Sequence, residues 1–517
     1  MTDALDIPPS GLTPEEVAER FDVLQRKLVP LWRSIERFNQ DPQTVVVVPS
    51  ISVDAPFGGV LLQAYEERFL FLLLLLRQPR ARLVYVTSQA IHPEVIDYYL
   101  GLLPGVIASH ARARLFLVTP LDGSTETLTA KLLARPRLLE HIRSLVIDPD
   151  RAHLVPYSTT PLERELAVRL GIPMYGADSK FHHFGTKSGS RQLFADEGVA
   201  HPLGVEQLRS VGEVARAIAS MRVTRPAMAS VVVKLNEGVS GMGNATIDLR
   251  GLPAPGDAAE RHAIAERLRA MKFESDLLDF EQYAAKVVEK GAIVEERISG
   301  DEFRSPSAQL RITPLGRVEL LSTHDQVLGG ATGQTYLGCR FPADEGYGPA
   351  IMREAAKVGA RLAREGVLGR FGIDFVCVKR NGVWEAYAIE INLRKGGTTH
   401  PFLTLQFLTD GRYDAESGVF RTPGGAAKCF VASDHVESPD YRAFTHKDLF
   451  DLVARHGLHF DAARQTGVVF HMMNAIGELG SVGLTAVANS HEEAETLYQK
   501  TIAAMDADAA LARAGGF

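Results

Sequence analysis

The stretch from Gly369 to Pro401, GRFGIDFVCVKRNGVWEAYAIEINLRKGGTTHP, most constrains the fold of this 517-residue chain. Two apolar runs flank an Asn381-Gly382 pair, a pattern that predicts a β-hairpin. Each predicted strand carries an acid inside an apolar segment, Asp374 on the first and Glu390 on the second. Because a buried carboxylate requires a compensating charge, the hairpin indicates a site for a cation.

The spacing of a third polar residue sharpens this prediction. Asn392 lies two residues after Glu390, and the alternation of a strand puts both side chains on one face. Such an oxygen-rich set suits Mg²⁺, with Mn²⁺ as the alternative ion. Regular pairing across a two-residue loop would place Asp374 opposite Ile389, on the other face, so a metal site predicts a three-residue loop, residues 380–382. The alternative is an ordinary hairpin whose acids face solvent.

Length and composition set the broad class. The length predicts about three domains, and 45% hydrophobic residues, 23% charged residues and a formal net charge of −7 are typical of a soluble globular protein. We expect no nucleic-acid partner, because the chain has no basic excess. Three dispersed cysteines predict core residues in a reducing compartment. No signal peptide is apparent and the apolar run at residues 69–76 is too short for a bilayer, so we expect a cytoplasmic protein without membrane contact.

The order of predicted elements indicates a multidomain chain of α/β and α+β class. Strands alternate with helices over residues 1–175, which predicts a parallel α/β domain. Residues 176–420 are predicted to form mixed β structure around a glycine-rich loop and the acid hairpin. Residues 421–517 predict a small α+β domain, in which His471 is expected to be a core or interface histidine.

The glycine-rich loop EGVSGMGN follows an apolar strand that carries Lys234. Exposed backbone N–H groups and a nearby lysine suit a polyphosphate, although the loop lacks the Gly-Lys-Ser/Thr ending of a P-loop. Taken alone, a glycine-rich loop of this kind is more often a simple turn between strands.

Residues 176 to about 405 resemble the ATP-grasp fold of carboxylate–amine ligases, in which two lobes enclose ATP. The resemblance implies lobes of about 176–300 and 301–420 in this chain. The resemblance rests on the order of Lys187, Lys234, the loop EGVSGMGN, the run VEERISGDE and the acid hairpin. It implies that Lys187, in preference to Lys180, precedes the opening helix and that Lys234 is the second ATP-binding lysine. It also implies that the loop covers the phosphates with Gly238, Ser240, Gly241, Met242 and Gly243.

The same resemblance assigns the adenosine and metal contacts. Glu295 would accept a hydrogen bond from the adenine amino group, the backbone of Glu296 and Ile298 would bind the ring edge, and Glu302 would hold the ribose. The expected magnesium ligands are Asp374, Glu390 and Asn392.

The segment GGTTH falls where this family binds the acyl acceptor and the forming phosphate. The backbone N–H groups of Gly396 and Gly397 would stabilise an oxyanion, and the expected substrate contacts are Lys395, Thr398, Thr399 and His400.

Where many family members carry an arginine, two residues before the first metal aspartate, this chain has Gly372. Arg394, on the face of Glu390 by alternation, or Arg311 would supply the missing charge, and we favour Arg394. A plain surface arginine is the alternative for Arg394. His324 is a candidate pocket residue or base.

The run INLRKGGTTHPF and the C-terminal domain resemble the pheganomycin-type peptide ligases most closely. The resemblance implies an ATP-dependent ligase that joins a small-molecule or amino-acid carboxylate to an amine or peptide, through an acyl-phosphate, with release of ADP and phosphate. Two alternatives remain: a small-molecule kinase of the same fold, and a nucleotide-binding regulator without turnover. The extra domain makes a homodimer a further expectation.

Overall fold

The first structural unit is a four-stranded parallel sheet, ordered β3-β2-β1-β4, as the strand–helix alternation predicts. A computed structural model describes residues 11–36, 42–52, 59–238, 241–275, 278–330 and 333–514. The strands of this sheet are β1 (Gln43–Val48), β2 (Ala81–Val86), β3 (Leu115–Val118) and β4 (Ala152–Pro156). Its helices are α1 (Pro14–Gln25), α2 (Leu28–Glu36), α3 (Gly59–Glu67), α4 (Pro93–Gly101), α5 (Ala108–Arg112), α6 (Leu128–Leu133), α7 (Pro136–Leu145) and α8 (Pro161–Leu170), with 3₁₀ helices Arg68–Arg77 and Pro149–Arg151.

The second unit is a five-stranded antiparallel sheet ordered β5-β9-β6-β7-β8. Its strands are β5 (Gly204–Leu208), β6 (Ser230–Leu235), β7 (Asn244–Asp248), β8 (Lys272–Phe273) and β9 (Ala292–Glu296). Its helices are the 3₁₀ helix Ser179–Gly185, α9 (Lys187–Asp196), α10 (Val211–Thr224), α11 (Glu260–Arg269) and α12 (Phe280–Lys290). The helices α10, α11 and α12 share one apolar core with this sheet and form the first lobe, whereas the 3₁₀ helix and α9 pack against the core of the second lobe.

The second lobe is built on a larger antiparallel sheet. Its strands are β10 (Glu302–Arg304), β11 (Pro306–Ile312), β12 (Val318–Gly329), β13 (Thr335–Phe341), β14 (Gly369–Arg380) and β15 (Val383–Asn392). Its helices are α13 (Gly348–Glu365) and α14 (Thr399–Thr409), and a two-stranded ribbon follows, β16 (Arg412–Asp414) with β17 (Val419–Arg421).

The C-terminal strands continue the sheet of the second lobe, because β18 pairs with β13. The remaining strands are β18 (Cys429–Glu437), β19 (Gly467–His471) and β20 (Ser481–Ala488). The remaining helices are α15 (His446–Arg455), α16 (Ile476–Leu479) and α17 (His491–Arg513), with 3₁₀ helices Pro439–Ala443 and Met473–Ala475. The predicted C-terminal domain therefore packs as an extension of the second lobe.

The acid hairpin forms as predicted, but its loop length and strand register differ from the prediction. Arg380 pairs with Val383, so the loop has two residues, and both have positive φ, 52° for Asn381 and 80° for Gly382. The prediction of a three-residue loop is therefore wrong. A β-bulge lies between the pairs Phe375–Ala388 and Asp374–Glu390, and it leaves Ile389 as an extra residue. The bulge supplies the odd residue that the metal site requires.

The three cysteines are buried and free, which confirms their prediction as core residues. Across the described ranges, no helix combines the length and the apolar composition that crossing a bilayer demands.

Candidate active site

A cavity of about 320 Å³ lies between the two lobes. The first lobe contributes β6, the glycine-rich loop and the end of β9 to its wall, and the second lobe contributes β11, β12, β14 and β15. The N-terminal and C-terminal domains complete the wall. All of the predicted metal ligands line this cavity, which is therefore the candidate active site.

The two hairpin acids lie on one wall of the cavity. Asp374 Oδ1 accepts a hydrogen bond from the Gln326 amide at 2.9 Å, and Asp374 Oδ2 accepts one from the Asn392 amide at 3.0 Å. Burial and the adjacent Glu390 carboxylate raise the pKa of Asp374 to about 7. Burial is the largest effect on Glu390 and opposes its ionisation, but the charges of Lys187, Lys234 and Arg394 together outweigh it and lower the pKa of Glu390. Two crowded carboxylates beside a side-chain amide fit a divalent cation such as Mg²⁺.

Both predicted lysines reach the cavity from the first lobe. Lys187 is the first residue of α9, and its Nζ lies 3.2 Å from Glu390 Oε2. Lys234, on β6, forms an ion pair with Glu295 on the neighbouring β9. Lys180 is half exposed and pairs with Asp178 instead. The structure thus places Lys187 rather than Lys180 at the acids, as expected.

The glycine-rich loop connects β6 to β7 at the rim of the cavity. Gly238, Gly241 and Gly243 line the cavity, and Gly241 has a φ of 77° that suits glycine. Met242 lies in the same turn without lining the cavity, and Ser240 lies outside the described residues.

The end of β9 forms the part of the wall that is predicted to hold adenine. Glu295, Glu296 and Ile298 line the cavity. The Glu295 carboxylate also contacts Arg191 at 3.3 Å, in addition to Lys234. Glu302, the predicted ribose contact, does not line the cavity: β10 pairs with β14, and the Glu302 carboxylate contacts Lys379 at 3.0 Å.

The two candidate arginines have different positions. Arg394, the arginine favoured from the sequence, lines the cavity. Its positive charge favours the ionised form of both hairpin acids. Arg311 does not reach the cavity, because it forms an ion pair with Glu319 and its guanidinium lies 5.3 Å from the centre of the Trp32 ring.

The space beside position 372, where many family members carry an arginine, is occupied by the Gln309 side chain. A Cβ on Gly372 would lie 2.7 Å from Gln309 Nε2, and Gln309 is the residue opposite Gly372 on β11. The Gln309 side chain, which lines the cavity, therefore fills the space beside Gly372.

The GGTTH segment turns from β15 into α14. Gly396, Gly397 and Thr398 line the cavity. The Gly396 N–H donates to Thr399 Oγ1 at 3.0 Å, so its expected role as an oxyanion donor and the role of Thr399 as a substrate contact are not supported. Lys395 is buried and its Nζ donates to the Pro156 carbonyl oxygen, which corrects its assignment to the substrate.

The predicted histidines lie behind the cavity wall. His324 is fully buried against Phe341, and burial lowers its pKa to about 3, so its prediction as a pocket residue or base is wrong. His400 Nε2 lies 3.1 Å from Asp434 Oδ1, and His471 Nε2 lies 2.8 Å from the same oxygen. His400 therefore supports Asp434 rather than substrate, and His471 is a core residue, as predicted.

Several residues of the cavity wall were not predicted from the sequence. Gln326 binds Asp374, and alternation along the run STHDQ would have placed it beside the acids. Tyr157, Arg68, Asp434 and His435 come from the N-terminal and C-terminal domains and line the same cavity. Arg68 and Asp434 are 366 residues apart in the chain, so only the fold shows that they meet.

Comparisons with known proteins agree with this geometry. Residues 180–270 and 260–416 match the family described as IQCH-like, ATP-grasp, and residues 448–501 match the PGM1 C-terminal domain. L-propargylglycine–L-glutamate ligase of Streptantibioticus cattleyicolor is 33% identical over 436 residues, which cover 83% of this chain and 86% of that protein.

Solved structures share the fold at low identity. The biotin carboxylase of Campylobacter jejuni, in complex with an ATP analogue, has a TM-score of 0.52 and 12% identity, with 88% of this chain and 89% of that chain covered. The biotin carboxylase domain of Hydrogenobacter thermophilus 2-oxoglutarate carboxylase, in complex with MgADP, has a TM-score of 0.52 and 13% identity, with 89% of each chain covered. At this identity the similarity concerns the fold alone.

Proposed function

This chain belongs to the ATP-grasp carboxylate–amine ligases, and we propose that it joins an amino-acid carboxylate to the amine of an amino acid or peptide. It is an ATP-dependent enzyme that forms a C–N bond. The observation that carries the proposal is the convergence of Lys187, Lys234 and the glycine-rich loop with the acid hairpin in one cavity. Lysines and backbone N–H groups bind phosphates, and the acids suit a phosphate-bound cation.

The reaction needs two successive displacements. A carboxylate is a poor electrophile, so we propose that its oxygen attacks the γ-phosphorus of ATP, which forms an acyl-phosphate and releases ADP. The amine nitrogen then attacks the acyl carbon, the C–O bond to phosphate breaks, and phosphate and a proton leave. The cavity wall would restrict water, which otherwise hydrolyses the acyl-phosphate.

The chain's own residues would act on charge and position. Lys187 and Lys234 would bind the phosphates, and Arg394 would bind the transferring phosphate or the donor carboxylate. The Gly397 N–H would stabilise the oxyanion at the acyl carbon, with Thr398 beside it. Asp374, Glu390 and Asn392 would hold Mg²⁺, which neutralises phosphate charge when bound.

The substrate class is inferred from the relative's name and from the cavity. L-propargylglycine–L-glutamate ligase is named for two amino acids, and we propose that this chain also takes amino acids or short peptides. The homodimer stays a prediction, which light scattering of the purified protein would check.

The proposed function is tested by ADP release with Mg-ATP across amino acids, supplied singly and paired with amino acids or short peptides, with mass spectrometry of the products. We expect ADP only when a carboxylate and an amine are both present, and a product mass equal to the sum of both minus water. ADP with a single substrate and a gain of one phosphate group would identify a kinase instead. ADP absent from every pair would contradict the proposal.

A further inference from the structure

Part of the cavity wall comes from outside the ATP-grasp lobes. The N-terminal domain contributes Tyr65, Arg68 and Tyr157, and the C-terminal domain contributes Asp434 and His435. The nucleotide and the cation require none of these residues, because the lobes already provide the lysines, the loop and the acids. This part of the wall is therefore available to a second ligand within the same cavity.

Arg68 is the charged donor in this part of the wall. It begins the 3₁₀ helix Arg68–Arg77 and is 4% exposed. Its Nη1 donates to Asp434 Oδ2 at 2.6 Å, and its Nη2 makes one long contact, 3.4 Å, with the Tyr157 hydroxyl. Its Nε is buried, and within the part of the chain that the structure describes it has no hydrogen-bond partner. One edge of the guanidinium, Nε with Nη2, is therefore almost unused, although a buried unsatisfied donor is costly.

The other edge of the guanidinium is fixed in place. Asp434 binds it with one carboxylate oxygen, and the second oxygen lies within 3.1 Å of both His400 Nε2 and His471 Nε2. The histidines are packed tightly, since a Cβ on Gly483 would lie 2.1 Å from the His471 ring. Three side chains from two domains, Asp434, His400 and His471, thus orient Arg68 before any ligand binds.

The aromatic surroundings favour a planar anion. The Arg68 guanidinium carbon lies 4.7 Å from the centre of the Tyr65 ring and 5.6 Å from that of Tyr157. Stacked guanidinium groups keep their in-plane donors available, and the Nε–Nη2 edge matches the two oxygens of a carboxylate.

We infer that Arg68 binds the free carboxylate of the amine substrate, and that Asp434, His400 and His471 are positioning residues for it. The inference rests on the proposed function, and it restricts the acceptor to α-amino acids or peptides with a free C-terminus. We assign Arg68 to the amine substrate because the carboxylate of that substrate does not react. The donor's reacting carboxylate is instead expected at Arg394 and the hairpin acids. The unsatisfied donor of Arg68 would gain its partner only in the complex.

The first test uses the unmodified enzyme with Mg-ATP and one carboxylate donor. Each active acceptor from a panel of the twenty L-amino acids is compared with its own carboxamide, which keeps the amine and removes the charge. We expect a KM for the carboxamide at least about 30-fold higher, with kcat changed much less, because a charge-assisted bidentate contact is lost. Equal KM values for acid and carboxamide would overturn the inference while leaving ligase function intact.

A matched pair of variants locates the effect. Arg68→Lys keeps a charge for Asp434 but loses the Nε–Nη2 edge, and we expect it to remove most of the acid-over-carboxamide preference while the KM for ATP stays unchanged. Arg77→Lys, at the end of the same helix and paired with Asp410 outside the cavity, should keep the preference. A KM change confined to the carboxylate donor would overturn the assignment to the amine substrate.

The histidines provide an independent control. Two histidines and an aspartate are also metal ligands by type, so the purified enzyme should be assayed for bound metal by mass spectrometry. We expect the wild-type enzyme and His471→Ala to have the same metal content, with no stoichiometric metal that depends on His471. One equivalent of tightly bound metal that depends on His471 would overturn the positioning role of Asp434. Failure of every amine to support ADP release would instead contradict the proposed function itself.

Discussion

Asp374 lies directly opposite Glu390 across the antiparallel pair β14–β15, and this pairing depends on one extra residue, Ile389, in the second strand. The bulge brings Ile389 and Glu390 to the same wall of the cavity. Bulges are frequent at active sites because they redirect a side chain without interrupting the sheet. A local irregularity of the strand therefore assembles the acid pair.

Asp374→Asn tests whether this pair is functional. We expect turnover to fall by at least about 100-fold, because the site loses one of its two carboxylates while side-chain size is kept. The fold should persist, as judged by circular dichroism and thermal melting. Glu385→Gln is the matched control, since Glu385 lies on the same hairpin but contacts Arg380 outside the cavity. Normal turnover in Asp374→Asn would remove this residue from the site.

Lys187 and Lys180 form a natural comparison of two lysines in one short segment. Lys187→Met should lower turnover by about 100-fold and raise the KM for ATP, because a cation beside the phosphates is lost and Glu390 loses its partner at 3.2 Å. Lys180→Met should leave both constants near the wild-type values, since Lys180 contacts the surface residue Asp22. The reverse ranking would show that Lys180 is the ATP-binding lysine.

The predictions that held were local in the chain. The acid hairpin is predicted from 33 contiguous residues, because two apolar runs around an Asn-Gly pair indicate its strands and its turn. The bulge at Ile389, which brings the two acids opposite each other, was not predicted. The position of Glu302 outside the cavity lining was not predicted, because it depends on the pairing of β10 with β14, which the segment itself does not encode. Arg68 and Asp434 were missed for the same reason, since their contact joins the N-terminal and C-terminal domains.

Gly397 and Gly396 are adjacent but differ in the space around them. A Cβ on Gly397 would lie 2.5 Å from the Tyr336 ring, whereas a Cβ on Gly396 would have none of the described residues within 4 Å. Gly397→Ala should therefore displace Tyr336, which lines the cavity, and lower turnover by about tenfold. Gly396→Ala should retain turnover. Steady-state kinetics of the two variants, once both are shown to be folded, checks the prediction. Equal turnover of the two variants would contradict it.

Arg394 and Arg311 are distinguished by their positions. Arg394→Ala should lower turnover by at least about 100-fold, because the cavity loses a cation near the acids. Arg311→Ala should keep turnover and cost only a modest amount of stability, because its contacts are Glu319 and Trp32. Turnover is measured by ADP release and stability by urea unfolding. Loss of turnover in folded Arg311→Ala would restore this residue as a candidate.

Lys395 provides a prediction on pH and stability. Burial, together with the nearby Arg370 charge, lowers the pKa of Lys395 to about 7 from its ordinary value of 10.5. Between these values the unfolded chain binds more protons at this lysine than the folded chain, so this group makes the free energy of unfolding rise with pH.

Lys395→Met should remove that contribution. We expect the free energy of unfolding of the wild type to increase relative to the variant between pH 7 and pH 10, by up to about 1.4 kcal/mol per pH unit. Below pH 7 the difference should level off, because the folded lysine is then charged too. Urea unfolding of both proteins at matched pH values measures the difference, with Lys180→Met as the exposed control. A constant difference across this range would show that Lys395 keeps its charge in the folded chain.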